Sequence, residues 1–264
     1  MDTTWDPQQY ARFGKERLRP FIELLRRVPL APDTVHRVID LGCGPGTDMP
    51  VLRSFFPQAY LLGLDSSPEM IAAARSEGAD PQAEYVLADV RTWAERPEEG
   101  PAPELIISNA MFQWVPGHLD LLPGIAERTA PGGVFALQVP GNFDAPSHVL
   151  LRRIAAQPEY AQFITEPLQD TVISAEQYLR VLSRPGWMAD AWETTYLHVL
   201  AGEDAVFQWV CGTAARPVLN ALPEEVRRSF EDEYRQALRE AYPRTELGTV
   251  LPFRRIFAVV IREV

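Results

Sequence analysis

The sequence has few of the residues that mark several large classes of protein. It contains only two cysteines in 264 residues, so a fold held together by a disulfide framework is not expected. Long apolar runs are also missing, which argues against a transmembrane helix, and the acidic, aromatic first residues do not resemble a targeting signal. Together these features predict a protein of the reducing cytoplasm.

Basic residues are scarce as well. Lysine and arginine together number 25 against 36 aspartate and glutamate residues, which gives a formal net charge of −11. A nucleic-acid partner is therefore disfavoured, because binding to the phosphate backbone needs a basic surface. Lys15 is the only lysine in the sequence. Any anion that is bound by side chains is thus expected to meet arginine.

Apolar runs that end in polar residues alternate with helical patterns over the first 140 residues. Strands are predicted at about 35–41, 60–65, 85–89, 104–109 and 134–139, and helices at about 18–28, 49–55, 67–75 and 122–129. Such an alternation predicts a doubly wound α/β domain with a mostly parallel sheet. The helix over 18–28 is expected to carry Pro20 in its first turn.

The second half of the sequence predicts helical segments and two further strands. The helical segments cover about 141–185 and 203–245, and the strands cover about 191–200 and 255–262. Because the last strand is expected to return to the sheet, we predict a single domain over 1–264. In it the core sheet of about 30–140 gains the two late strands, and the helical segments form a cap over its ligand-binding edge.

A glycine-rich loop follows the first predicted strand. It reads Asp40-Leu41-Gly42-Cys43-Gly44-Pro45-Gly46, with three glycines at alternate positions. Glycine adopts positive φ and has no Cβ, so such a loop lets a small ligand approach the backbone. The spacing differs from the Gly-x-Gly-x-x-Gly of dinucleotide-binding loops and favours a ligand without phosphate. Cys43 is not expected to be a nucleophile, because no histidine is near it in the sequence.

Polar residues recur at the ends of the predicted strands, where open α/β sheets bind their ligands. Asp65 ends the second strand, where a carboxylate can hold a ribose diol or can instead interact with the dipole of the next helix. Asp89 ends the third strand, where it can accept from an adenine amino group or be a solvated turn residue. Asn109 ends the fourth.

The glycine loop, Asp65 with Ser66, Asp89, and Pro131-Gly132-Gly133 before a strand together resemble the S-adenosylmethionine-dependent class I methyltransferases. This resemblance implies a Rossmann-like fold, S-adenosylmethionine as cofactor, S-adenosylhomocysteine as its product, and no metal. The residues it implies for cofactor binding are Tyr10, Arg19, Asp40, Gly42, Cys43, Gly44, Gly46, Asp65, Ser66, Met70, Asp89, Val90, Asn109 and Ala110. For Arg19, an ion pair at the start of its helix is an equal alternative.

Further blocks narrow the resemblance to the branch of this family that methylates a carboxylate of a small polycarboxylic acid, with trans-aconitate as the implied substrate. They include Asn109-Ala110-x-x-Gln113-Trp114, Thr194-Thr195-Tyr196-x-His198, Arg216-Pro217 and Pro252-Phe253-Arg254. Arginine forks bind carboxylates in a bidentate manner. The candidate substrate-binding residues are Gln113, Trp114, Asn142, Tyr196, His198, Arg216 and Arg254. A general base is not required, because a carboxylate is already ionised at neutral pH.

Other functions stay open on the sequence alone. The chain could methylate another small molecule, act as a nicotinamide-dependent oxidoreductase, or bind S-adenosylmethionine without catalysis. The glycine spacing argues against the oxidoreductase, and the tyrosine, arginine and histidine blocks argue against the non-catalytic protein. We expect a monomer or a homodimer with a small-molecule substrate and with neither a nucleic-acid nor a membrane partner.

Overall fold

A computed structural model describes residues 14–77, 80, 82–95, 100–165, 168 and 172–264. Tyr10, one of the predicted cofactor residues, lies outside the described residues. The described helices are α1 (Gly14–Leu25), α2 (Met49–Phe55), α3 (Pro68–Glu77), α4 (Val90–Glu95), α5 (Leu122–Glu127), α6 (Pro146–Ala155), α7 (Pro158–Ala161), α8 (Ala175–Leu182), α9 (Ala205–Cys211), α10 (Arg216–Ala221) and α11 (Glu224–Ala241). The described strands are β1 (Arg37–Leu41), β2 (Tyr60–Asp65), β3 (Glu84–Leu87), β4 (Leu105–Asn109), β5 (Val134–Pro140), β6 (Trp187–Leu200), β7 (Arg244–Thr245) and β8 (Gly248–Arg262).

These strands form one sheet in the order β3-β2-β1-β4-β5-β8-β6, and β7 pairs with β8. The neighbours from β3 to β5 are parallel, and β8 runs antiparallel to β5 with Val134 opposite Ile261. Helices connect the parallel strands, as the long crossover between such strands requires. The predicted Rossmann-like α/β fold with a mostly parallel sheet is confirmed.

The central strands β1, β4 and β5 hold the core of the sheet. The side chains of Val38, Ile39, Ile106 and Phe135 on these strands have no exposed surface. Strands covered on both faces appear in a sequence as continuous apolar runs, which is why these three strands were predictable. The strand order changes direction between β1 and β4, and in such sheets ligands bind beyond the carboxyl ends of the strands at that point.

The chain divides into two compact units. The sheet unit comprises Lys15–Pro140, Ile173–Glu193 and Arg255–Val264. The second unit comprises Gly141–Val172 and Thr194–Arg254, together with an N-terminal segment that lies almost wholly outside the described residues. The single domain with a helical cap, predicted from the sequence, stays a prediction.

The second unit has an apolar core of its own. Helix α11 buries Phe230, Tyr234 and Leu238, and Trp209 of α9 is almost fully buried in the same cluster. The Tyr234 hydroxyl donates a hydrogen bond of 2.8 Å to the carbonyl of Ser147, the second residue of α6. Helix α11 lies within the helical segment predicted over about 203–245.

Several boundaries differ from the sequence prediction, and strand β6, for example, begins at Trp187 rather than near 191. Helix α1 begins at Gly14 and ends at Leu25, so Pro20 lies inside the helix and its predicted place in the first turn is wrong. The helix tolerates the lost hydrogen bond because Phe21 and Leu24 are fully buried. Strand β8 begins at Gly248 rather than near 255, because Pro252 and two arginines hide its alternating pattern. Helix α10 lies within the helical segment predicted over about 203–245, and Pro217 occupies its first turn.

Candidate active site

The glycine loop lies at the carboxyl end of β1, as predicted. Gly42, Gly44 and Gly46 have φ values of 78°, 55° and 79°, in the left-handed region that favours glycine. A Cβ on Gly42 would lie 2.3 Å from Cγ of Met111, and one on Gly46 would lie 2.8 Å from the Tyr85 hydroxyl oxygen. Around Gly44, no described atom would lie within 4 Å of such a Cβ. Gly42 and Gly46 are thus needed for close packing, whereas Gly44 leaves its backbone open to a ligand.

Asp40 is the most unusual side chain at this edge of the sheet. It is 1 % exposed, and neither carboxylate oxygen has a hydrogen-bond partner among the described residues. Burial raises the pKa of Asp40 well above its usual range, and the nearby carboxylates of Asp48 and Asp65 raise it further. A buried polar group without a partner is costly, so this site suits a ligand that brings hydrogen-bond donors or positive charge. S-adenosylmethionine brings both.

Asp65 connects the glycine loop to the start of α3. Its Oδ2 accepts a hydrogen bond of 2.9 Å from the Gly44 amide, and its Oδ1 accepts one of 2.8 Å from the Ser67 amide. Burial raises the pKa of Asp65, while these backbone donors lower it. Each carboxylate oxygen has a second lone pair, so a ribose hydroxyl can still be bound. The ribose-binding roles of Asp65 and the exposed Ser66 remain predictions, as does that of the buried Met70.

Two other predicted cofactor residues are engaged in ion pairs. Asp89 accepts from the Arg91 guanidinium, with Nε 3.0 Å from Oδ1 and Nη2 2.5 Å from Oδ2, and these bonds lower the pKa of Asp89. Val90 follows it as the buried first residue of α4. Arg19 donates through Nε to Glu23 at 2.9 Å, so it forms the ion pair that was the alternative to a role in cofactor binding. Adenine would have to share Asp89 with Arg91.

Asn109 belongs to a chain of polar side chains that crosses the sheet. Its Nδ2 donates to Asp48 Oδ2 at 2.6 Å, and its Oδ1 accepts from Gln138 Nε2. Gln138 Oε1 in turn accepts from Arg255 Nη1 at 3.4 Å. Sequence reasoning missed Asp48, Gln138 and Arg255. Gln138 could have been recognised from the sequence, because it is a polar residue inside the apolar run of β5 and a buried polar residue must find a partner.

The segment after β4 contains three further predicted residues. Ala110 has a φ of 56°, a strained conformation for a residue other than glycine, and its amide donates to the Gln138 carbonyl at 2.9 Å. Gln113 Nε2 donates to the carbonyl of Ala110, while its buried Oε1 has no partner within the described part of the chain. The Trp114 side chain is 47 % exposed. An exposed indole and an unpaired amide oxygen are suited to contact a ligand.

In the second unit, Asn142 and His148 lie together. Nδ2 of Asn142 is 3.5 Å from Nδ1 of His148, and Oδ1 of Asn142 is buried with no partner among the described residues. Burial lowers the pKa of His148 to about 4, and the charge of Arg152 lowers it further. His148 is therefore neutral at pH 7.

Tyr196 and His198 lie on β6 in an aromatic cluster of the second unit. The His198 ring stacks on Trp209 at 4.8 Å between centroids, and Phe253 lies 5.9 Å from it. Tyr196 is nearly parallel to His198 at 6.2 Å. The structure therefore brings these two predicted substrate residues together, with the histidine held between rings.

The two predicted arginines of the second unit have different surroundings. Arg254 donates through Nε to the Gly141 carbonyl and lies 3.4 Å from Asp144, so it contacts residues on both sides of Asn142. Arg216 is the partly buried first residue of α10, next to the buried Ala215 and Val218. Helix α10 thus positions Arg216 at its N-terminal end.

Both cysteines are free thiols, and Cys43 is 4 % exposed. Burial and the surrounding carboxylates raise the pKa of Cys43, and burial raises that of Cys211 to about 12. The thiolate is the reactive form. We therefore expect iodoacetamide at about pH 8 to leave both thiols of the folded protein unmodified and to alkylate both after unfolding in guanidinium, as measured by mass spectrometry. Rapid labelling of Cys43 in the folded protein would contradict its placement in the loop.

Within the described ranges, no group of three or more histidine, cysteine, aspartate or glutamate side chains is arranged to hold a metal ion. No helix in this part of the chain is long and apolar enough to cross a membrane.

Comparisons with known proteins agree with the fold and the loop. A family model described as "Methyltransferase domain" matches residues 10–187. The solved structure of the plantazolicin methyltransferase BpumL, in complex with a substrate analogue and S-adenosylhomocysteine, superposes with a TM-score of 0.55 at 13 % identity. That superposition covers 98 % of this chain and 92 % of the other and shows the shared fold. Fold and loop thus define a Rossmann-like methyltransferase.

Relatives of known name are similar over the whole chain. The trans-aconitate 2-methyltransferase of Streptomyces avermitilis is 49 % identical over 98 % of this chain and 97 % of the relative. The enzyme of the same name from Methylobacterium nodulans is 43 % identical over 98 % of both. This chain belongs to the trans-aconitate 2-methyltransferase family of methyltransferases.

Proposed function

We propose that this protein transfers a methyl group from S-adenosylmethionine to a carboxylate of trans-aconitate, giving the monomethyl ester and S-adenosylhomocysteine. The buried Asp40, which has no hydrogen-bond partner among the described residues, and the open backbone of Gly44 support the cofactor. The choice of substrate rests on the relatives, which share more than two fifths of their residues with this chain from end to end.

When bound, S-adenosylmethionine supplies an electrophilic methyl group on a sulfonium, which the carboxylate oxygen takes as the sulfur leaves. The residues of the chain need not remove a proton, because the pKa of the substrate carboxylate is well below 7 and the group is already ionised at neutral pH. Their task is to hold the oxygen in line with the methyl carbon. Orientation of this kind can lower a barrier by roughly 7–11 kcal/mol.

We assign the cofactor to the residues predicted for it, with Asp40 and the glycine loop as its base. We assign the substrate to Arg216, Arg254, Asn142, Tyr196 and His198, with Gln113 and Trp114 beside the reacting groups. The arginines provide the positive charge that a tricarboxylate requires in a protein of net charge −11.

Turnover with a panel of acids tests the proposal. The purified protein is incubated with S-adenosylmethionine and, separately, with trans-aconitate, cis-aconitate, isocitrate, citrate and a fatty acid, and esters are measured by mass. We expect the trans-aconitate monomethyl ester to form fastest. No ester from any of the tricarboxylates would overturn the proposal. An ester from the fatty acid alone would favour a methyltransferase for another small molecule, and cofactor binding without any product would favour a non-catalytic protein.

We also propose a cytoplasmic location, a monomer or homodimer, and no nucleic-acid partner. The free thiols support the location, because the cytoplasm keeps cysteines reduced. The excess of acidic residues supports the lack of a nucleic-acid partner. Cell fractionation, light scattering and an electrophoretic shift assay test these points in turn.

A further inference from the structure

The polar chain across the sheet has a fixed direction of hydrogen-bond donation. Arg255 has donors and no acceptor, whereas an ionised Asp48 has acceptors and no donor. Gln138 must therefore present Oε1 to Arg255 and Nε2 to Asn109, and Asn109 must present Nδ2 to Asp48. With a guanidinium at one end and a carboxylate at the other, neither amide has a second favourable orientation.

The carboxylate of Asp48 does not cap its helix, although its position suggests that role. Asp48 is the N-cap residue of α2, where an aspartate usually accepts from a backbone amide of the first turn. Its side chain makes no such capping bond and instead meets Asn109. A long-range bond at 2.6 Å thus replaces a local one. The residue as a whole is partly exposed and follows Gly46 by two positions, so it lies beside the glycine loop.

The carboxylates of Asp48 and Asp40 are close enough for their negative charges to repel each other. Asp48 raises the pKa of Asp40, and burial raises the pKa of Asp48 to about 6 while the bond from Asn109 lowers it. Among the described residues, Asp48 acts electrostatically on Asp40 of β1 and on the Cys43 thiol of the loop, it accepts from Asn109 of β4, and Asp65 also acts on Asp40. Two carboxylates in one buried site gain most from a ligand that is a cation.

We infer that Asp48 binds the ammonium group of the methionine end of the cofactor, and that Arg255 and Gln138 are positioning residues that fix it through Asn109. The inference rests on the proposed function for its cofactor. The ammonium rather than the sulfonium is chosen because only the ammonium has N–H donors for a carboxylate. All four side chains belong to the sheet unit.

Calorimetric titration without acceptor substrate tests the role of Asp48 separately from turnover. We expect Asp48→Asn to bind S-adenosylmethionine about tenfold more weakly than wild type at about pH 7.5, and to bind S-adenosylhomocysteine, which keeps the ammonium, more weakly by a similar factor. Unchanged affinity would overturn the inference, and so would a loss confined to S-adenosylmethionine. Binding that behaves as expected without ester formation would overturn only the proposed function.

The pH dependence of binding tests the positioning chain. A carboxylate binds a cation when ionised, so wild-type affinity should fall as the pH drops through the pKa of Asp48, about 6. In Gln138→Met the Asn109 amide loses its fixed orientation, which weakens its hydrogen bond to Asp48. That bond lowers the pKa of Asp48, so the pKa should rise in the variant and the fall in affinity should move to higher pH. Ser108→Ala is the matched control, since it removes a buried hydrogen bond from the neighbouring residue of β4 to Leu41. It should leave the pH profile unchanged.

A structural role of Gln138 alone would lower stability without moving this profile. An unmoved profile in a folded Gln138→Met would therefore overturn the positioning role, as would an equal movement in Ser108→Ala. If Gln138→Met does not fold, Arg255→Lys and Arg255→Met replace it. The lysine keeps a charged donor and should retain the wild-type profile, whereas the methionine should shift it upward. Equal profiles for these two variants would likewise overturn the positioning role.

Discussion

Arg216→Ala is expected to raise the KM for trans-aconitate about 100-fold while leaving the affinity for S-adenosylmethionine within about twofold of wild type. A carboxylate that loses its bidentate guanidinium partner in a partly buried site loses roughly 3 kcal/mol. Arg216 is the first residue of α10 and lies next to the buried Ala215 and Val218. Initial rates over a range of trans-aconitate concentrations and calorimetry with the cofactor measure the two effects.

The matched control is Arg228→Ala. Arg228 is on the surface of α11, its side chain is 78 % exposed, and it pairs with Glu224, so its removal changes the net charge equally without touching the proposed site. It should leave KM unchanged. Arg216→Lys should recover part of the loss, because a lysine retains the charge but lacks the planar fork. If cofactor affinity falls as far as substrate affinity in Arg216→Ala, the assignment of Arg216 to the substrate is wrong.

Gly42→Ala is expected to weaken cofactor binding by about 100-fold or more and to lower the melting temperature. The added Cβ would lie 2.3 Å from Cγ of Met111, far inside van der Waals contact, so the loop or Met111 must move. Met111 follows Ala110, which is strained already, and the Gly42 amide is held by the Leu64 carbonyl at 2.7 Å. The displacement therefore spreads to both sides of the proposed cofactor site. Calorimetry with S-adenosylhomocysteine and thermal denaturation measure it.

Gly117→Ala separates backbone strain from the clash. Gly117 has a φ of 69°, close to that of Gly42, but no described atom would lie within 4 Å of its added Cβ. A left-handed alanine costs roughly 1–2 kcal/mol, so this control should lose stability and retain cofactor affinity. Equal cofactor affinity in the two variants would show that the close packing of Gly42 on Met111 does not shape the site.

The parts of the fold that were predictable are those with a strong local pattern. Strands β1, β4 and β5 are apolar runs because both faces of the sheet are covered, and the glycine loop is a contiguous motif. The start of β8 was missed because Pro252 and the adjacent arginines break the pattern of a strand. The N-terminal end of β8 pairs instead with β7, where Arg244 lies opposite Thr249.

The site was predictable to the extent that its residues lie next to one another in the sequence. Asp40, Gly42, Gly44 and Gly46 form one motif. Asp48, by contrast, meets Asn109 across 61 positions of the chain, and Gln138 meets Arg255 across 117. No local spacing encodes such contacts, so they require the strand order. The conformation of Ala110 was equally hidden, since a positive φ at alanine is enforced by its surroundings.

The position of β8 between β5 and β6 also affects the order in which parts of the chain can fold. Strand β5 acquires its second neighbour only when a segment far along the chain pairs with it, with Pro140 opposite Arg255. Contacts between residues so distant in sequence form slowly, and until then the apolar edge of β5 is open to other chains. The same step brings Arg255 to Gln138. Cofactor affinity should therefore appear late in refolding, after most of the helical signal has returned.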